Sequence, residues 1–247
     1  MMKKILIAGE SWMSFTTHVK GFDTFQTSVY EEGIEQLREA IEKGGYDVDF
    51  LPNHLASTKF PYHIEELKQY SAVILSDIGA NTLLLAPETF NFSIRKPNRC
   101  QLLKDYVLQG GALIMIGGYM TFSGIDGKGK WGSTPVQDVL PVNILNYDDR
   151  CEHPEGVRPQ IVNEHEGILG LPKEWPFLLG YNKTIIKPDA CLAVTINNDP
   201  LIAFGSYGKG KSAVFTSDCA PHWAPPEFTG WSYYNKLWQS MLCWLTK

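Results

Sequence analysis

Between two glycine pairs, Gly110-Gly111 and Gly117-Gly118, the chain runs Ala112-Leu113-Ile114-Met115-Ile116 without a polar residue. Five apolar residues bounded by turn formers predict a short strand buried on both faces, and such strands belong to parallel sheets covered by helices. The glycines at its carboxyl end let the backbone turn sharply. In open α/β sheets ligands bind beyond the carboxyl ends of the strands, so Gly117-Gly118-Tyr119 marks the expected site. Many hydrolases place a Ser or Cys nucleophile on such a turn. This chain offers Tyr119 and Met120 instead.

The flanking segments predict the rest of the sheet. Residues 4–8 read as a first strand, followed by a polar and aromatic loop over 10–28. Ile34, Leu37 and Ile41 recur at helical spacing within 30–43, and Gly44-Gly45 ends that helix. A second strand is expected over 46–51, a short helix around Ile64 and Leu67, and a third strand over 72–75. Leu102, Leu103, Tyr106 and Val107 place a helix over 98–109 that feeds the glycine-bounded strand. Successive β-α units imply parallel strands with right-handed crossovers. Past Gly124 the pattern changes: a helical turn over 135–140, a strand over 140–144 and a charged loop over 148–159. Closely spaced strands over 192–196, 201–204 and 212–216 follow, then an amphipathic helix over 232–245. No linker or repeat interrupts the chain. The expected architecture is one α/β domain over 1–247, a parallel sheet with an antiparallel strand extension.

Composition narrows the function classes. Lys and Arg total 22 against 27 Asp and Glu, a formal net charge of −5, which argues against a nucleic-acid or anionic-membrane partner. Lys3-Lys4 precedes an apolar run that stops at Glu10, too short for a secretory signal. No stretch approaches the roughly 18 apolar residues of a membrane span. Five cysteines, an odd and scattered set, suit reduced thiols, so a cytoplasmic protein is expected.

Three constellations carry chemistry. Gly205 to Ser212 fits the spacing of a phosphate-binding loop, but the following Ala213-Val214-Phe215-Thr216 is a strand and not the helix that such a loop opens, so a hairpin turn is expected. Asp218-Cys219-Ala220-Pro221-His222-Trp223 follows a buried strand, where Cys219 is a candidate nucleophile with His222 as its base. No further metal ligand is spaced nearby, so neither metal nor cofactor is read from it. Asp148-Asp149-Arg150-Cys151-Glu152-His153 offers an arginine for bidentate recognition of a polar ligand and Glu152 as a candidate general base. Cys151 and His153 stand too close in sequence for a dyad to be assumed. Glu10 and Asp77 follow the first and third strands, at the same edge of the sheet as Gly118 and Tyr119; helix capping is the commoner role for Asp77. Loop aromatics, Trp12 and Trp223 among them, suit a ligand site or an oligomer interface.

The segment 117–124, the run Asp148-Asp149-Arg150 with Glu152 and Pro154-Glu155-Gly156, and the segment 218–223 resemble uncharacterised bacterial glutamine amidotransferase-like proteins. These belong to the class I glutamine amidotransferase-like superfamily, and the resemblance implies a flavodoxin-like fold over nearly the whole chain. True class I amidotransferases carry Cys on the strand-to-helix turn, with a distant His-x-Glu pair. Tyr119 stands about where that Cys would be, and His153-Pro154-Glu155 has the letters of the pair in a mid-chain loop. Without the thiolate no glutamyl thioester forms there, so glutaminase activity is not expected. The expected function is binding of a small polar metabolite or partner by Glu10, Asp77, Gly118, Tyr119, Asp149, Arg150 and His222. A hydrolase or transferase using Cys219 with His222, or Glu152, is the alternative. A structural homo-oligomer subunit is the third reading.

Overall fold

The computed structural model describes residues 2–247. The chain opens with β1 (Lys3–Gly9), β2 (Ser11–Lys20), β3 (Asp23–Glu32), α1 (Glu35–Lys43) and β4 (Tyr46–Leu51). Next come α2 (Asn53–Lys59), α3 (Ile64–Leu67), β5 (Ala72–Ser76), α4 (Ala80–Leu84), α5 (Pro87–Phe92), α6 (Arg99–Leu108) and β6 (Ala112–Ile116). After several short 3-10 turns there follow β7 (Val142–Ile144), β8 (Arg150–Val157), β9 (Gln160–Ile161), β10 (Leu178–Asn182) and β11 (Thr184–Ile186). The last elements are β12 (Cys191–Ile196), β13 (Asp199–Tyr207), β14 (Gly210–Phe215), α7 (Pro226–Thr229) and α8 (Tyr234–Leu245).

Eight strands form the main sheet in the order β4-β1-β5-β6-β14-β13-β12-β9. The first five are parallel. By order of appearance they run 2-1-3-4-5, one of the two common doubly wound orders. β13 and β12 extend the sheet antiparallel, as the closely spaced strands predict, and β9 adds an antiparallel strand that the sequence reading does not include.

Alternation along each strand splits the core in two. Ile5, Ile7, Ile74, Ile114 and Ile116 meet Leu37 and Ile41 of α1 and Leu237, Trp238 and Met241 of α8. Leu6, Ala8, Val73, Leu75, Leu113 and Met115 meet Ala56 of α2 and Leu103 and Val107 of α6 on the other face. A central parallel strand is therefore apolar at every position, and that is why 112–116 is legible from sequence alone. On the second face the buried Arg99 donates to the carbonyls of Thr82, Leu83, Ala56 and Ser57. One guanidinium so ties α2, α4 and α6 together.

Two expected loops are strands. Residues 11–32 form a two-stranded ribbon, β2 with β3, closed by Gly21 at φ +65°. Its side chains are nearly all exposed, so no buried face marked it in the sequence. It occupies 30–32 and delays α1 to Glu35. The charged segment 148–159 holds β8, paired with β10; its alternation is likewise hidden because neither face is fully buried. Gly208-Lys209 turns between β13 and β14, in place of a helix-opening loop.

At the glycine turn after β6 two backbones come close together. A Cβ on Gly117 would lie 2.2 Å from the Thr216 carbonyl oxygen and 2.7 Å from Asn182 Oδ1. Gly118 has φ +147°, and its Cβ would fall 2.7 Å from Asp77 Oδ1. Gly117→Ala is expected to lower the unfolding free energy by roughly 2–3 kcal/mol, because the clash is with backbone and not with a side chain that can swing away. Chemical denaturation monitored by circular dichroism measures it.

Candidate functional site

The site is assembled from the carboxyl ends of β1, β5, β6 and β14. Glu10 follows β1 with φ +47°, and Asp77 follows β5 with φ +41°. Left-handed backbone at two non-glycine residues in corresponding positions is a strain that persists only where the surroundings impose it. At Glu10 the imposing contacts are its own amide, which donates to Ser76 O at 2.8 Å, and its carbonyl, which accepts from Gly33. Asn53 secures the corner at the start of α2: its side-chain amide donates to the carbonyls of Ser11 and Asp77, and its backbone amide to Ser11 Oγ.

The floor of the site is a buried cluster of acids around a thiol. Glu10 Oε2 accepts from Ser76 Oγ at 2.5 Å and lies 3.6 Å from Cys219 Sγ, which is also 3.6 Å from Ser76 Oγ. One donor atom from each of Glu10, Asp218 and Cys219 lies within 4.8 Å of the other two, and all three residues are buried. These three are the residues that could hold a metal ion. Burial pushes the Glu10 carboxyl well above its ordinary range, and the neighbouring Asp218 and Asp77 carboxylates push it further. Burial likewise raises the Cys219 thiol, with Glu10 and Asp218 adding to the effect. Asp77 is pushed up to about 6 by burial and by Asp218. Its Oδ1 accepts from the Met120 amide at 2.7 Å, so it anchors the turn after β6 and does not cap α4, whose N-cap is Gly79.

The rim is aromatic and charged. The Tyr119 ring centroid lies 5.3 Å from that of His222 and 5.5 Å from that of Trp223. The Trp12 ring centroid also lies 5.3 Å from that of His222, and Arg150 Cζ sits 5.2 Å from the Tyr119 centroid. Asp148 holds the Arg150 guanidinium through Nε at 3.0 Å and Nη2 at 2.8 Å; Glu152 lies 3.8 Å from Nη1. Glu152 also accepts from Trp223 Nε1 at 2.9 Å. His222 Nδ1 is 3.7 Å from Asp218 Oδ2, and that carboxylate raises the imidazole above its usual value. Burial raises the Tyr119 phenol, helped by Glu152.

The sequence candidates therefore separate by depth. Glu10, Asp77 and Cys219 lie at the floor; Tyr119, Arg150, Glu152 and His222 form the rim. Asp149 is buried behind the turn, where it accepts from the amides of Ser123 and Gly124 and from Asn182 Nδ2. Gly118 donates its amide to Asn182 Oδ1 at 3.0 Å. Asn182 thus links Asp149 to the glycine turn; it sits at the end of β10 with no motif around it, and nothing in the sequence flags it. Asp218 stands beside Cys219 in the chain, but its meeting with Glu10 depends on strand order. Cys219 and His222, three residues apart, have different partners: the thiol meets Glu10 and Ser76, the imidazole Asp218. Cys151 and His153 share one face of β8, because residues two apart in a strand do. His153 stacks on Tyr181 with centroids 5.8 Å apart and pairs with Glu155 at 3.0 Å.

Comparison with known proteins relates the whole chain to one family and to two solved structures. Two solved structures described as cytoplasmic proteins from Salmonella typhimurium, STM3548 and STM1381, superpose with TM-scores of 0.94 and 0.95 at 45% and 44% identity. The first match covers 98% of each chain; the second covers 99% of this chain and 100% of the other. A ThuA-like protein from Parabacteroides merdae shares the fold at 12% identity and a TM-score of 0.59, over 100% of this chain and 90% of its own. A search of curated proteins finds no match. The family model described as "Putative glutamine amidotransferase" matches residues 4–247, and the chain belongs to that family.

Proposed function

We propose that this protein is a non-glutaminase member of its family that binds a small polar metabolite at the carboxyl edge of its sheet. The observation that carries the reading is the rim itself: Tyr119, His222, Trp12 and Arg150 converge over a buried acidic floor. Aromatic faces beside a held guanidinium and a carboxylate suit a ligand that is hydroxylated or charged and has a flat or apolar face. The turn after β6 presents a phenol, a weak nucleophile at neutral pH, so the residues there bind and orient. A thermal-shift screen of polar metabolites should find a stabilising compound. Tyr119→Phe, Arg150→Ala and His222→Ala should each weaken its binding by about fivefold or more. Unchanged affinity in all three variants would place the ligand elsewhere.

The hydrolase or transferase reading, with Cys219 as nucleophile, predicts a reactive thiol. Burial and two neighbouring carboxylates work against the thiolate. In the native protein iodoacetamide should label the exposed Cys243 well before Cys219, read residue by residue by mass spectrometry. Faster labelling of Cys219 would restore the nucleophile reading. Glu152 remains the base available on the rim.

A second reading, a homo-oligomer, is favoured by the ribbon of β2 and β3. Met13, Phe15 and Val19 lie on one face of it, and Phe15 and Val19 are 73% and 68% exposed. A two-stranded ribbon is marginal in water without something packed on it, and a second copy of the chain supplies a matching ribbon. Light scattering should show a dimer or larger species, shifted toward monomer in Phe15→Lys/Val19→Lys. A wild-type monomer at every concentration would remove this reading. The five cysteines are all unpaired, and no described helix is long and apolar enough to cross a membrane. Together with the cytoplasmic description of the Salmonella relatives, this supports a cytoplasmic site of action.

A further inference from the structure

The floor of the site gathers buried carboxylates that its own residues partner incompletely. Glu10 and Asp218 are at most 1% exposed, Asp77 stands beside them, and His222 at the rim lies 3.7 Å from Asp218. Carboxylates withdrawn from water need a cation, a proton or a set of donors. Glu10 Oε2 accepts from Ser76 Oγ and from the Cys219 thiol. Asp218 is less well served. Its Oδ1 accepts from the Ala220 amide at 3.1 Å, but Oδ2, in a side chain that is 0% exposed, has no hydrogen-bond partner.

We propose that Glu10, Asp218 and Cys219 bind a divalent transition-metal ion, of which zinc is the best fit. The donor set is two carboxylates and a thiol. A thiolate donor selects a borderline or soft ion over magnesium or calcium, which prefer oxygen shells of six or more. Spacing agrees. Metal–oxygen bonds of about 2.0–2.2 Å and a metal–sulfur bond of about 2.3 Å place tetrahedral donors roughly 3.5 Å apart, and Glu10 Oε2 to Cys219 Sγ is 3.6 Å. Asp218, a carboxylate oxygen of which lies within 4.8 Å of both other donors and whose Oδ2 has no hydrogen-bond partner, supplies the third. Ser76, hydrogen-bonded to Glu10, orients the first, a role that outer residues commonly fill around metals. Three protein donors leave a fourth position, and His222 Nδ1, 3.7 Å from Asp218 Oδ2, stands on that side. Binding releases the Cys219 thiol proton and any proton held by the carboxylates, leaving the ion coordinated by thiolate and carboxylate.

The inference does not rest on the metabolite reading, because the ion alone is the probe. Full-length protein is stripped with a chelator and titrated with Co2+, followed by absorbance and calorimetry. One equivalent should bind, with a thiolate-to-cobalt charge-transfer band in the near ultraviolet, and Zn2+ should displace it. Cys219→Ser should abolish the band. Asp218→Asn and Glu10→Gln should each weaken affinity on the order of 10–100-fold, with native circular dichroism as the control for folding. No stoichiometric Co2+ binding by the folded wild type would overturn the proposal. So would a band that survives Cys219→Ser, since it would come from one of the other four cysteines. Loss of Co2+ binding together with intact metabolite binding would sink this inference and leave the metabolite reading standing.

Discussion

A parallel sheet delivers every one of its strand ends to the same edge, and the floor of the site in this protein follows from that constraint. β1, β5, β6 and β14 terminate side by side, so residues 10, 76–77, 117–119 and 216–219 become neighbours although more than 200 positions separate the first from the last. The edge is crowded. At Gly117 the backbone of β6 passes so close to Thr216 that no side chain fits. At Glu10 and Asp77 the chain accepts left-handed backbone as it leaves the sheet. Strain and close approach at one edge are the cost of gathering four strand ends into one site.

The site is layered as a result. Its floor is dry and acidic, a combination stable only with donors or a counter-charge. Its rim is wetter, and there Arg150 is paired with Asp148 and Glu152 accepts from the Trp223 indole, while His222 faces the floor carboxylate of Asp218 at 3.7 Å. Asp149 and Asn182 stand behind the turn and satisfy amides that would otherwise be buried without partners. The loop over 117–124 is thus held from behind by a carboxylate, from below by Asp77 and from the side by aromatic packing on Tyr119.

Elements with an apolar period were legible in the sequence. Ala112 to Ile116 is buried on both faces, and α6 and α8 each put a periodic apolar stripe against the sheet. The ribbon of β2 and β3 and the strand β8 were not, because exposed strands carry no burial pattern to read. Cys219 and His222 illustrate the same limit at the site. Their spacing suggested a dyad, and the fold gave each a different partner. Asn182 shows the converse: a residue without any motif becomes the link between Asp149 and the glycine turn.

By itself the sequence determined the α/β class, the position of the glycine turn, the absence of a thiol on it and the hairpin nature of the segment 205–212. Those features depend on local periodicity and on residue identity, both of which a linear chain carries. Only the tertiary structure decided that Glu10, Asp218 and Cys219 share one dry floor, and that Tyr119, Arg150 and His222 share one rim. Strand order determines those meetings, and strand order comes from packing two apolar faces against helices, a property of the whole chain and of no single motif.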